Sequence, residues 1–514
     1  MKKGKLLAAG VAAMLLTVVS GCGGSSSAKS DNDSKQKDFE VLVVRYPDQT
    51  EKYHTDGVVP DTAKAAGVNI KFRKIAALSW SDKKSVIMAG NKLPDAFMGL
   101  SSLQDADITA NKASLIPLEK YITKKTMPNL YKLMKEDKKL RAISTDADGH
   151  IYSLPAKYPD AIVYSDQTVI NKAWLDKLNI KMPTTYKEYQ DAIVKMVNGD
   201  PNGNGKKDEL GISGWSNLVF LPWGLTASTS QIGGMSYDGH KLIFDPVTKD
   251  YKKIITQLHK TFQQGGIDQE LFTQGFTDII NKTQKGTKVV STVAQLPNGV
   301  GDDYVATPAI TGVDGKKHAH NNNPSYARNE FEVTTACKNP AKLLNWIDRF
   351  YEPENSVQAV FGPIGDEFVK KNADGSYQLL PDPTHKFSQV DYELKNAFRT
   401  YAPVYFDDAL NAKIKTIPTE GDGLKQKIQA PVVKYQDPEY PILSYTDAES
   451  KELSKLNTDI SGLTGQKEAE WITKGGVDKE WDAYIQQLND MGLKRFMEIQ
   501  NKALKRYNKT LGND

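Results

Sequence analysis

Asp200-Pro201-Asn202-Gly203-Asn204-Gly205-Lys206-Lys207-Asp208-Glu209 is the run of residues best suited to chemistry in this chain. Oxygen-bearing side chains stand at loop positions one, three, five and nine, with glycine at six, which is the spacing of a calcium loop. Asp200, Asn202, Asn204 and Asp208 would offer side-chain oxygens and Lys206 its backbone carbonyl. Position twelve is Gly211, where a full EF-hand has glutamate, so Glu209 is the expected substitute. The alternative is an ion-free turn held by its own Asx side chains. No second loop of this kind accompanies it, so an ion here is expected to stiffen the protein structurally, with neither sensing nor catalysis.

A second reactive position is Cys22. Lys2, Lys3 and Lys5 precede an apolar run from Leu6 to Val19, which is too short for a comfortable membrane span. The run ends in Val19-Ser20-Gly21-Cys22, which resembles the bacterial lipobox, so residues 1–21 are expected to be a lipoprotein signal peptide and Cys22 the lipidated N-terminus. Two acyl chains suffice for stable anchoring, at about 0.8 kcal/mol per buried CH2. Residues 22–38 are almost devoid of apolar side chains and read as a flexible tether. The other cysteine, Cys337, is then left without a disulfide partner and reads as a small buried hydrophobe.

These groups need a scaffold. Without the three signal lysines the chain has 67 − 3 = 64 basic against 63 acidic residues. That balance, with no basic block, argues against nucleic acid and against a polybasic membrane surface. Phe39–Val44, Asn69–Ile75 and Asp95–Met98 read as strands, with a helix over Ser81–Ala89, so parallel pairing in an α/β sheet is expected. Ligands bind beyond the carboxyl ends of such strands, which nominates Tyr46 and Trp80 as cleft residues. Near the C-terminus Asp478 is the expected N-cap of a helix whose Trp481, Tyr484, Ile485, Leu488 and Met491 share one face, a core stripe.

Several phrases together resemble one family, the extracellular solute-binding proteins of carbohydrate ABC importers, family 1, in their large Gram-positive lipoprotein branch. They are Met88-Ala89-Gly90-Asn91-Lys92-Leu93-Pro94-Asp95, Ser114-Leu115-Ile116-Pro117-Leu118, Asp148 to Pro155, Asn171 to Leu178 followed by Met182-Pro183-Thr184-Thr185, and Gly475 to Trp481. The resemblance implies an α/β, two-lobed periplasmic-binding-protein-like clamp of type II, each lobe a sheet flanked by helices, with a helical C-terminal region. It implies discontinuous lobes, placed at 39–160 with 305–352 and at 161–304 with 353–514. It also implies a structural calcium at the loop described above, a carbohydrate ligand, ABC permease subunits as partners, and a lipid-anchored location on the outer face of the cell membrane. The chain is read as a monomer.

A sugar asks for aromatic faces and planar polar groups. Trp80 is the first candidate, followed by Tyr46, Trp215, Trp223, Tyr405 and Arg328; for Trp215, Trp223 and Tyr405 a core role is an equal alternative. Asn321-Asn322-Asn323 and the His318-x-His320 pair read as solvated loop. The sequence has no Gly-x-Ser-x-Gly, His-Glu-x-x-His or Gly-x-Gly-x-x-Gly motif. A non-enzymatic receptor is therefore expected, with a lipid-anchored glycosidase or an adhesive lipoprotein as alternatives; two carboxylates suffice for glycoside hydrolysis and leave no motif.

Overall fold

The computed structural model describes residues 35–45, 55–90, 92–99, 102–160, 167–214, 216–225, 234–283, 289–294, 303–319, 325–387, 389–416 and 432–512. The signal segment, Cys22, most of the tether, Tyr46, Trp215, His320 and Asn321 to Asn323 lie outside the described residues.

In chain order the principal strands are β1 (Asp38–Arg45), β2 (Asn69–Ala76), β3 (Ala96–Met98), β4 (Leu154–Lys157), β5 (Gln167–Asn171), β6 (Leu210–Gly214), β7 (Met235–Tyr237), β8 (Leu242–Phe244), β9 (Val289–Ala294), β10 (Tyr304–Ala306) and β11 (Tyr326–Val333). One sheet has the order β2-β1-β3-β11-β4 and another the order β10-β5-β9-β6, while β7 and β8 form a hairpin. Pairing of β1 with β2 and with β3 is parallel, as the strand–helix alternation requires. Strand β1 is buried on both faces. Val41 and Val43 enter the large core of this lobe, and Leu42 and Val44 a smaller one beneath the helix Trp80–Ala89. That two-sided burial explains its uninterrupted run of branched apolar residues.

Each sheet organises its own core. The first takes Phe39 to Tyr158 and Phe331 to Leu410, and the second takes Ile170 to Val313 and Leu443 to Leu504. The division differs from the sequence expectation in two places. Residues 304–306 belong to the second sheet, because β10 pairs antiparallel with β5. The return to the first sheet therefore falls after 319 instead of at 305. Residues 353–410 pack in the first core, where the helix Pro353–Phe361 buries Val357, Val360 and Phe361. The last crossing accordingly lies between 410 and 443 and not at 353.

The C-terminal region is helical, over Asp447–Lys474, Val477–Asp490 and Leu493–Leu511. Tyr484 and Leu488 are buried in the second core, with Trp481, Ile485 and Met491 packed against it. The cap differs from expectation. Gly476 occupies it, at φ 104°, and Asp478 sits inside the first turn, where it favours the positive end of the helix dipole. The 28-residue helix Asp447–Lys474 escaped the sequence reading because its apolar stripe is sparse. Its Thr446–Glu449 capping box was the available signal.

Candidate functional site

Between the lobes lies a cleft of about 1510 Å³, larger than the roughly 300–1,000 Å³ of a pocket for a single small ligand. The first lobe contributes Gln104 and Asp105, at the start of the helix Asp105–Asn111, and Tyr326 to Asn329 from β11. The second contributes the β7–β8 hairpin, the 434–445 segment and the faces of two C-terminal helices.

A bulge aims Arg328 into this space. On β11 the register against β4 shifts between Ala327, opposite Ala156, and Phe331, opposite Leu154, and Asn329 takes φ 65°. Arg328 and Asn329 buckle out of the ladder and line the cleft. The Arg328 guanidinium pairs with Asp105 and donates to Leu443 O at 2.8 Å and Ser444 Oγ at 2.8 Å. Asn329 Nδ2 donates to Asp105 Oδ1 at 2.7 Å. Arg328 is thus at the cleft, and its donors tie the first lobe to the chain entering the C-terminal helices.

Lys112 makes a second tie. Its ammonium lies within 2.9 Å of Asp146, 2.8 Å of Asp148 and 2.9 Å of Asp447. Burial by itself would lower its pKa, but the three carboxylates together raise it. A third link joins two crossing segments. His318 Nδ1 meets Asp437 Oδ1 at 2.8 Å and Nε2 meets Asp314 Oδ2 at 3.1 Å, and Ala319 and Gln436 form a parallel bridge beside it. The hydrogen bond to Asp437, opposed by burial and helped by the charges of Asp437 and Asp314, raises the imidazole pKa to about 9.

The aromatic candidates fall differently. Trp80 is 8 % exposed, its Nε1 donates to Ser102 O at 2.8 Å, and its ring packs on Phe97. It starts its helix and turns inward, so it is a core side chain with little face to offer a ligand. Trp223 is 0 % exposed and meets Tyr189 edge-on at 5.7 Å, again in a core. Tyr405 packs against the first core, and its hydroxyl donates to Asp137 Oδ2 at 2.9 Å, beside that of Tyr326 at 2.8 Å. What the sequence reading missed are the cleft residues Gln500, Tyr445, Asp245 and Asp105. None belongs to a motif, and only the packing of helices far apart in sequence brings them together.

The Asp200 loop is wound tightly around its own side chains. Asp200 stands at φ 45°, and its carboxylate accepts the backbone N–H groups of Gly203, Asn204 and Gly205 at 2.9–3.1 Å. Gly203 at φ 74° and Gly205 at φ 73° permit the tight winding. The side-chain amides of Asn202 and Asn204 both reach Asp208. Glu209 is 7 % exposed, and neither carboxylate oxygen has a hydrogen-bond partner. A buried carboxylate is expensive without a partner charge, so Glu209 fits a cation ligand. Among the described residues no three His, Cys, Asp or Glu side chains converge as a metal-binding group. Calcium loops draw also on amide and carbonyl oxygens, which Asn202, Asn204 and Lys206 can provide.

Two sheet-and-helix lobes around an arginine-bridged cleft define a two-lobed clamp. Comparison with known proteins agrees. The fructooligosaccharide ABC transporter substrate-binding protein FusA of Streptococcus pneumoniae is 28% identical over 96% of each chain. The polygalacturonan/rhamnogalacturonan-binding protein YtcQ of Bacillus subtilis is 23% identical over 95% of this chain and 96% of its own length. Among solved structures, FusA in complex with kestose superposes with TM-score 0.75 at 26% identity, covering 93% of this chain and 100% of that one. An extracellular solute-binding protein from Bifidobacterium longum subsp. infantis shares the fold with TM-score 0.78 at 22% identity, covering 92% and 98%. No family model matches the chain. Over nearly its whole length the chain is similar to extracellular solute-binding proteins of ABC importers, the family its sequence phrases resemble.

Proposed function

We propose that this chain is a lipid-anchored receptor on the outer face of the membrane that captures an oligosaccharide and hands it to the permease of an ABC importer. The observation that carries this reading is the large cleft shared by two lobes, each with its own core. The lobes are residues 38–158 with 325–410 and residues 167–319 with 432–512, so three chain segments cross between them. A ligand that touches both walls only when they approach shifts the equilibrium toward the closed form. FusA, solved with kestose, makes fructooligosaccharides the first ligands to test. The protein acts by binding without turnover and works as a monomer.

Calcium is the proposed occupant of the Asp200 loop, held by Asp200, Asn202, Asn204, Asp208, Glu209 and the Lys206 carbonyl. An EF-hand mutant of FusA has been solved, which supports a loop of this kind in a relative. The ion would fix the start of β6 in the second lobe. The anchor rests on Cys22 and the segment before it. Among the described residues no helix is long and apolar enough to cross a membrane.

A thermal-shift screen with kestose, fructo-nystose and maltooligosaccharides, with and without a calcium chelator, tests both parts. Saccharide should raise the melting temperature in the mass-action form for a ligand of the folded state. Chelator should lower it in the wild type and have no effect in Glu209→Gln. Equal melting of wild type with and without chelator would remove calcium from the account.

A further inference from the structure

Gln500, Asp245, Glu439 and Tyr440 in the cleft wall each hold a polar atom that the protein leaves without a partner, and the first two stand on adjoining elements. Gln500, on the helix Leu493–Leu511, is fully buried. Its amide oxygen accepts from the Tyr445 hydroxyl at 2.5 Å, while Nε2 has no hydrogen-bond partner. Asp245, at the end of β8, is 7 % exposed; Ser236 serves one part of its carboxyl, and Oδ2 has no partner. Both residues line the same cleft. Their elements adjoin, since Phe244 and Phe496 meet edge-on at 6.1 Å, one residue before Asp245 and one helical turn before Gln500. Buried polar groups are normally paired, and an unpaired one weakens the folded state. A donor and an acceptor left so beside one cavity mark a place where the partner comes from outside.

The charges of the cleft define that partner further. Arg328 is committed to Asp105, Leu443 and Ser444, and His318 is held between Asp314 and Asp437. The other cations among the described lining residues, Lys316, Lys317 and Lys434, are exposed. Asp245, which is buried, and Asp250, which is exposed like those lysines, stand on the wall with Gln500. A uronic acid would bring a carboxylate to this acidic wall without a buried cation to receive it, whereas a hydroxyl can both donate and accept.

We propose that Gln500 and Asp245 form a polar subsite for an uncharged, hydroxyl-bearing sugar unit, so that the C-terminal helices select neutral over acidic saccharides. The subsite rests on the reading of this cleft as the saccharide site. It is tested on the full mature chain by calorimetric titration with kestose, fructo-nystose, maltotriose and trigalacturonate, using Gln500→Met and Asp245→Leu. The neutral ligand that binds wild type should bind each variant about tenfold more weakly, the loss of one hydrogen bond. Asp245→Leu, which removes a buried carboxyl with one oxygen left unpaired, should melt no lower than wild type in the absence of ligand. A purely structural role would instead lower that temperature. Dissociation constants unchanged in both variants, or tighter binding of trigalacturonate than of any neutral sugar, would overturn the subsite while leaving a saccharide receptor intact. Binding of none of the four by wild type would overturn the saccharide reading itself and the subsite with it.

Discussion

Glu330 and Glu332 stand on β11 of the first lobe, on the face opposite Phe331 and Val333, and both are almost wholly buried. Neither oxygen of Glu332 has a hydrogen-bond partner. Burial, only partly offset by a hydrogen bond with Tyr158, raises the Glu330 pKa to about 8; burial and the neighbouring Glu330 also raise that of Glu332 well above the ordinary carboxylate range. The folded state thus favours the protonated acid, while the unfolded chain ionises near the ordinary value of 4.5. The stability contributed by protonated Glu330 is fully present below that value and is lost as pH rises through about 8. Glu330→Gln should therefore be more stable than wild type at pH 8, by about 1–3 kcal/mol, and nearly equal at pH 4. Urea unfolding at the two pH values measures this, and a variant less stable than wild type at pH 8 would contradict it. Single residues were also where the sequence was hardest to read. Trp80 lies next to a strand end, as a cleft tryptophan would, yet its burial, its packing on Phe97 and its bond to Ser102 O show that it turns inward. The Asp200 loop was legible because all its candidate ligands lie within ten consecutive residues.

Elements were more legible than their membership of a lobe. The strands β1 and β2 and the helix after them follow from local periodicity, and the structure places them within a residue or two of expectation. The crossings did not follow, because β10 and the helix Pro353–Phe361 choose a lobe by partners more than a hundred residues away. At the crossings, His318 ties two segments through Asp314 and Asp437. Its folded pKa of about 9 exceeds the ordinary 6.5, so this stabilisation is fully present below 6.5 and is lost as pH rises through 9. Wild type should lose melting temperature between pH 7 and about 10 more steeply than His318→Gln. Parallel curves for the two proteins would mean that the imidazole does not clamp the crossing.

For the whole molecule the decisive property is that the two cores are separate while the cleft is shared. A protein with one continuous core could hold a saccharide in a groove, but it could not close on it. Here the walls are joined by three chain crossings and by polar links, Arg328 to Ser444 and Lys112 to Asp447 among them. Such links exchange for water at modest net cost, which leaves ligand contacts able to decide the lobe arrangement. Small-angle scattering of the mature chain, recorded with and without a saturating neutral oligosaccharide and paired with an assay for released reducing ends, tests this most directly. The account predicts a smaller radius of gyration with ligand, saturating at one molecule per chain, and no released ends over hours. A radius unchanged at proven saturation, or steady cleavage of the sugar, would contradict it.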